Sequence, residues 1–233
     1  MSYLQNIFTN NIDKNKIKII FELGSRDLKD AYKLYKYYNS KVYAFECNTD
    51  CLIECDKMYE IFDMNTKNNI FLIKNAISEV NGKVSFYPFD LKKYNNMGSS
   101  SMLKIDFSMR NKSDPDYNRE NPQTEIVVDG IRLDTFLKNN NIHQIDLLCI
   151  DLQGYELNAL KSLGENIKNV KYIITECSIQ NTYIGGALFI ELNKYLESYN
   201  FKYICSNKFS YNFPDLTIKG FSEFDALFIN KNN

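Results

Sequence analysis

Ile17-Lys-Ile-Ile-Phe-Glu-Leu-Gly-Ser-Arg-Asp27 decides the fold. An apolar run ends at Glu22-Leu23-Gly24, and polar residues follow at once. Leu28, Ala31, Tyr32, Leu34 and Tyr35 then recur at helical spacing. Strand, glycine turn and helix in that order form the opening unit of an α/β fold, whose ligand sits at the strand's carboxyl end. Gly24 would admit a ligand close to the backbone, and the free N–H groups that open the helix favour an anionic or polar group. Alone, such a turn is as often plain packing, because fold does not fix function.

A second apolar run, Val42-Tyr-Ala-Phe45, ends in Glu46. An acidic residue about twenty positions after a glycine turn, closing the next strand, is placed to accept hydrogen bonds from two ribose hydroxyls. The alternative is a solvated glutamate opening a loop. Only Gly24 of the G-x-G-x-x-G pattern is present, so nothing admits a pyrophosphate and a nicotinamide dinucleotide is disfavoured. A nucleoside without a diphosphate fits better, and S-adenosylmethionine is such a ligand.

The length of 233 residues suits one domain, and a formal charge of −1 points to neither a polyanion nor a membrane surface. No apolar run approaches the ~20 residues that span a bilayer. The opening Met-Ser-Tyr-Leu-Gln-Asn lacks a basic stretch followed by an apolar one, so no signal peptide is expected and the expected setting is cytoplasmic. Cys47, Cys51 and Cys55 recur every four residues without a C-x-x-C pair, and His143 is the single histidine. That argues against zinc, and the cysteines read as reduced.

Strands are expected at 17–23, 41–46, 70–74, 83–86, 125–128, 145–150, 170–175, 201–205 and 225–229, with helices at 27–38, 50–62, 132–138, 155–163 and 187–199. This alternation predicts a mostly parallel sheet with helices on both faces and an antiparallel pair at the end. The span 88–122 has little apolar periodicity and reads as a lid that contacts the acceptor, plain disorder being the alternative. Successive strands finish on Glu22-Leu-Gly24, Glu46, Asn75, Asp151-Leu-Gln153 and Glu176. In a parallel sheet those ends lie side by side, so their polar groups converge on one crevice. Singly, each could be a helix-terminal charge, as Asp151 would be before the 155–163 helix.

Phe-Glu-Leu-Gly-Ser-Arg-Asp27, Tyr-Ala-Phe-Glu46, Asn75-Ala-Ile, Gly98-Ser-Ser-Ser101, Ile-Arg-Leu-Asp134 and Ile-Asp-Leu-Leu-Cys-Ile-Asp-Leu-Gln-Gly-Tyr-Glu156 together resemble the FkbM-type S-adenosylmethionine-dependent methyltransferases. The resemblance implies a Rossmann-like class I methyltransferase fold, a mostly parallel seven-stranded sheet with an antiparallel last strand. It implies that Glu22, Gly24 and Ser25 line the methionine end of S-adenosyl-L-methionine, with Arg26 and Asp27 beside them. Glu46 with neighbouring Cys47 would hold the ribose, Asn75 and Ala76 the adenine, and Ser99 and Ser100 would close over the cofactor from the long loop. Asp151 would lie near the methyl sulfonium. One departure is Leu28, where the family's loop often has a second glycine. Characterised relatives mostly methylate hydroxyls of sugars or natural products.

Methyl transfer from a sulfonium is an in-line displacement that needs the acceptor oxygen held roughly 3 Å from the methyl carbon and its proton removed. Asp151 and Glu176, on adjacent strand ends, are the expected bases. They are too few to assert a metal, and none is expected. Glu156, near a helix start, has a site role or only a helix-terminal one. The expected acceptor is a small molecule or glycan with a free hydroxyl. A cofactor-binding protein without catalysis and a nucleic-acid methyltransferase are the alternatives. Against the latter, Arg110, Lys112 and Arg119 form only a modest basic group, offset by Asp114, Asp116 and Glu120.

Overall fold

The computed structural model describes residues 3–92, 97–106, 123–180, 182–217 and 223–232. A single turn, α1 (Asn6–Thr9), precedes β1 (Ile19–Leu23), α2 (Lys29–Tyr38), β2 (Lys41–Phe45), α3 (Thr49–Glu60), α4 (Met64–Lys67) and β3 (Ile70–Ile73). Three strands follow: β4 (Ala76–Ile77), β5 (Gly82–Phe86) and β6 (Ile126–Ile131). Then come α5 (Leu133–Asn139), β7 (Ile145–Ile150), α6 (Glu156–Lys161), β8 (Val170–Ser178), α7 (Phe189–Ser198), β9 (Phe201–Ser206) and β10 (Glu223–Asn230).

Seven strands form one sheet in the order β3-β2-β1-β7-β8-β10-β9, and β10 runs antiparallel to both neighbours while the other pairs are parallel. Alternation along β1 explains why both faces are covered. Phe21 and Leu23 enter a core with Leu133, Phe136, Leu160 and Leu192 from α5, α6 and α7. Ile20 enters the opposite core with Leu34 and Tyr35 of α2 and Phe8 of α1. Strand β7, between the two, is buried at every position, as an apolar run interrupted only by Asp146 near its amino end requires.

Three features depart from the sequence reading. A second, three-stranded sheet in the order β4-β6-β5 stands beside the first. Within the span expected to be an irregular lid, residues 97–106 are tied down: Ser101 bridges to Tyr87 and Ile105 to Tyr183, and Ile105 N–H donates to Gln123 Oε1 at 2.8 Å. Residues 107–122, with Arg110, Lys112, Asp114, Asp116, Arg119 and Glu120, lie outside the described residues, as do 93–96. Helix α2 begins at Lys29 rather than at position 27, because Arg26 and Leu28 take left-handed backbone angles, φ 54° and 60°. Leu28 occupies the conformation a glycine would adopt cheaply, and its fully buried side chain offsets the strain.

At the amino ends of the strands, Asp146 accepts hydrogen bonds from the Lys18 and Ile19 N–H groups, both at 2.9 Å, and from the Lys171 ammonium at 2.7 Å. Burial opposes ionisation, but these partners prevail and hold the carboxyl below its ordinary value of 3.8. Asp146→Ala is expected to cost roughly 2–4 kcal/mol in denaturant unfolding at neutral pH, because two N–H groups and an ammonium lose their partner. The wild-type contribution should be present above pH 3.8 and vanish as pH falls through the lowered folded value.

Candidate functional site

Pairing register places five residues in one line across the carboxyl ends of the strands. Leu23 pairs with Phe45 and with Ile150, Ile150 pairs with Thr175, and Glu176 pairs with Asp225. One residue further along the parallel strands, Glu46, Gly24, Asp151 and Glu176 therefore lie side by side, and Asp225 completes the line on β10. Gly24 is required in the middle: with φ at 87°, a Cβ there would sit 2.0 Å from the Asp151 carbonyl oxygen.

Glu46 is held by the turns around it. Its Oε2 accepts from Arg26 N–H, and its Oε1 from Cys47 and Asn48 N–H, each at 2.8 Å. Burial raises its pKa against these three bonds, which lower it. A carboxylate offers about four acceptor sites, so one remains, on Oε2, for a hydroxyl. Glu22, behind the line, is almost fully buried and accepts from Ser25 Oγ at 2.5 Å. Burial, with Asp30, Asp27 and Glu46 nearby, pushes its pKa to about 8 despite that bond.

The other half of the line is also acidic. The Gln153 amide Nε2 donates to Asp151 Oδ1 and to Glu176 Oε2, both at 2.9 Å. Burial raises the pKa of both carboxyls, that of Glu176 well above the ordinary range with Asp151, Glu156 and Glu223 adding to it. Asp225 is raised to about 6, first by burial, and its carboxylate accepts from the Asn207 amide at 2.9 Å. Glu156 settles into a local role. Its Oε1 accepts from Leu152 and Gly154 N–H at 2.9 and 3.1 Å, folding the turn that carries Gln153. Asp151 is not the cap of α6, since Tyr155 occupies that position and Asp151 bonds Gln153 instead.

Glu22, Gly24, Ser25, Arg26, Asp27, Glu46, Cys47, Asn75, Ala76, Ser100 and Asp151 line a single cleft with about 880 Å³ of open space, solvent included. Ser99 and Glu176 are not among its walls. The Ser99 carbonyl accepts from Tyr183 Oη, and Glu176 joins the cleft through Gln153. Asn75 turns its amide to the Asp129 carbonyl at 3.2 Å. Sequence reasoning missed Tyr3, Asn48, Phe86, Met97 and Met102, which also line the cleft. Asn48 carried a usable signal as the side-chain cap of α3, and it donates to Ser100 Oγ at 3.1 Å. Tyr3 comes from the lead-in segment and shows no pattern. His143 is exposed at the far end of β7. Among the described residues, no three His, Cys, Asp or Glu side chains are grouped to hold a metal ion, and all six cysteines are free.

The donor set suits S-adenosylmethionine. Glu46 retains acceptor capacity for a ribose hydroxyl, and Phe45, Ile77, Phe86 and Met97 offer apolar walls to a purine. The buried carboxyl of Glu22 and the half-buried one of Asp151 face a cleft in which a sulfonium and an ammonium would favour their ionised forms. Sheet order and cleft together define the class: a Rossmann-like S-adenosylmethionine-dependent methyltransferase fold.

The Methyltransferase FkbM domain matches residues 10–203, and the chain belongs to that family. A 2-O-methyltransferase, NoeI of Sinorhizobium fredii (strain NBRC 101917 / NGR234), is 26% identical over 172 residues, 72% of this chain and 66% of that protein. The match thus spans slightly under two thirds of the relative's length. Among solved structures, M. capricolum TrmK in complex with S-adenosyl-homocysteine is 15% identical, with a TM-score of 0.52 over 99% of this chain and 69% of that one. StiE O-MT residues 961–1257 give 10% identity and a TM-score of 0.50, covering 97% and 72%. These two likenesses are of fold. No helix among the described residues is long and apolar enough to cross a membrane.

Proposed function

We propose that the chain, as one domain, transfers a methyl group from S-adenosylmethionine to a hydroxyl of a sugar, glycan or related natural product. The observation that carries this reading is the line of residues across the strand ends: ribose-type acceptor on β2, glycine gap on β1, and paired carboxylates on β7 and β8. The 2-O-methyltransferase relative supports oxygen as the acceptor atom. The cofactor supplies an activated methyl group on a positively charged sulfur.

The residues divide the remaining work. Glu46 binds a ribose hydroxyl and Asn75 and Ala76 bound the adenine. Gly24 and Ser25 admit the methionine end, and Glu22 balances its charge. Asp151 and Glu176 orient the acceptor hydroxyl, and one of them takes its proton as the oxygen–carbon bond forms; raised pKa values suit a base for a weakly acidic alcohol. Glu223 and Asp225 make the acceptor side acidic, which weighs against a nucleic-acid backbone. A cytoplasmic setting fits the free cysteines.

Calorimetric titration with S-adenosylmethionine and S-adenosylhomocysteine should show micromolar binding. Glu46→Ala should weaken it at least ~10-fold, the loss of a charge-assisted bond to a ribose hydroxyl. A folded wild type that binds neither ligand would sink the reading. Binding would then be followed by a screen of sugar acceptors with labelled methyl donor.

A further inference from the structure

We propose that Tyr183 and Gln153 are positioning residues that lock Asp151 and Glu176 into one hydrogen-bonded pair facing the acceptor. The acceptor-facing role rests on the function proposed above, whereas the pairing rests on geometry alone.

A carboxamide is two-sided. Its NH2 carries two hydrogens, and each meets one carboxylate here, Asp151 Oδ1 and Glu176 Oε2. Turned over, the amide would press Oε1 against a carboxylate oxygen, which is tolerable only if that carboxyl is protonated. The orientation is therefore worth fixing, and Tyr183 fixes it: its hydroxyl lies 3.0 Å from Gln153 Oε1 and donates to it. The same hydroxyl is 2.9 Å from the Ser99 carbonyl, so one hydrogen serves two acceptors.

The backbone is shaped for this contact. Gln153 and Gly154 both have left-handed angles, φ 54° and 95°. A Cβ on Gly154 would stand 3.1 Å from Tyr183 Cβ and Cδ2, so the glycine makes room for the ring. Tyr183 is buried and pairs with Ile105, while Ile184 N–H donates to the Lys104 carbonyl and Asp106 N–H to the Thr182 carbonyl. Ser101 Oγ donates to the Gln153 carbonyl at 2.8 Å. The segment 97–106, which contributes Met97, Gly98, Ser100 and Met102 to the cofactor cleft, is thus anchored on the ring that orients the amide. Cofactor cover and acceptor carboxylates share one fixed point.

Charged and titratable groups from each neighbouring element face the pair: Arg26 after β1, Asp30 of α2, Glu156 of α6, Glu223 and Asp225 of β10, and Tyr183 itself. Lys208 acts on the two β10 carboxyls. Apart from Tyr183 itself, none of these would change in Tyr183→Phe, which keeps the ring and removes only the hydroxyl.

The test is a carbon-13 carboxyl NMR titration of the full chain, with Asp151→Asn and Glu176→Gln assigning the signals. In Tyr183→Phe the amide is released, and at least one of the two carboxyls should titrate upward by about one pH unit or more, the equivalent of one lost charge-assisted bond. Gln153→Asn, too short to span both carboxylates, should raise both. Unchanged titrations in the two folded variants would overturn the proposal, and a shift in Gln153→Asn alone would overturn the part played by Tyr183. The readout needs no ligand, so it is independent of whether S-adenosylhomocysteine binds.

Discussion

Gly24→Ala is expected to abolish cofactor binding and to destabilise the fold by roughly 3 kcal/mol or more, the sum of left-handed backbone strain and overpacking. The new methyl would lie 2.0 Å from a backbone oxygen of Asp151, an atom with no flexible side chain to yield. Relief requires β1 and β7 to part where Asp151 N–H donates to the Leu23 carbonyl at 3.0 Å. That separation moves Asp151 and Gln153 away from Glu46, splitting the line of residues between its two halves. Thermal unfolding and calorimetry with S-adenosylhomocysteine read both effects. Wild-type affinity in a variant of unchanged stability would show that the close approach at Gly24 has no importance.

Glu22→Gln should separate stability from binding. The Glu22 carboxyl has its pKa raised from 4.5 to about 8 in the folded protein, so the native state holds a proton that the unfolded chain has released. The sign follows: stability from this group is full below pH 4.5, declines as pH rises, and levels off above about 8. Across that window the loss is on the order of 3–5 kcal/mol. Glu22→Gln should therefore melt higher than wild type at pH 8 and equal it near pH 4.5. Binding of the cationic cofactor should do the reverse, drawing the proton off Glu22. Wild-type titrations near neutral pH should release a proton, visible as a binding enthalpy that varies with the buffer's ionisation heat. Glu22→Gln should bind more weakly and lose that dependence. A wild type with pH-independent stability over this range would refute the assignment.

The sheet was readable because its strands are apolar runs that stop abruptly on acidic or amide residues, as at Glu22, Glu46 and Asp151. A run buried on both faces, such as Ile145–Ile150, cannot be mistaken for a surface segment. Two strands of the second sheet were readable, near 83–86 and 125–128, but their pairing into a separate sheet and its third strand were not. That strand, Ala76–Ile77, is two residues long, too short to show a period, and its partner Gly130-Ile131 lies more than fifty residues away. The start of α2 was misjudged for a different reason: Leu28 reads as a helical apolar position, yet it bends the chain in the left-handed region before the helix begins. In the cleft, residues at strand ends were accessible to inference and Ser100 to the family resemblance, whereas Tyr3, Met97 and Met102, reaching in from elsewhere, were not. Tyr183 follows β8 in an irregular stretch, and nothing in Thr182-Tyr-Ile184 announces a contact with Gln153 thirty positions earlier.

The line from Glu46 to Asp225 crosses β2, β1, β7, β8 and β10 in spatial succession. Neighbouring strands lie about 4.8 Å apart, so the line works as a ruler of roughly 19 Å with one mark per strand. On the function proposed above, the donor would occupy the first marks and the acceptor the last, and β7 alone would belong to both. Strands β8 and β10, with the segments between them, can therefore be rewritten for a different acceptor while the marks that seat the donor stay where they are. On that reading, only at Asp151 would a change of substrate have to be negotiated with the cofactor.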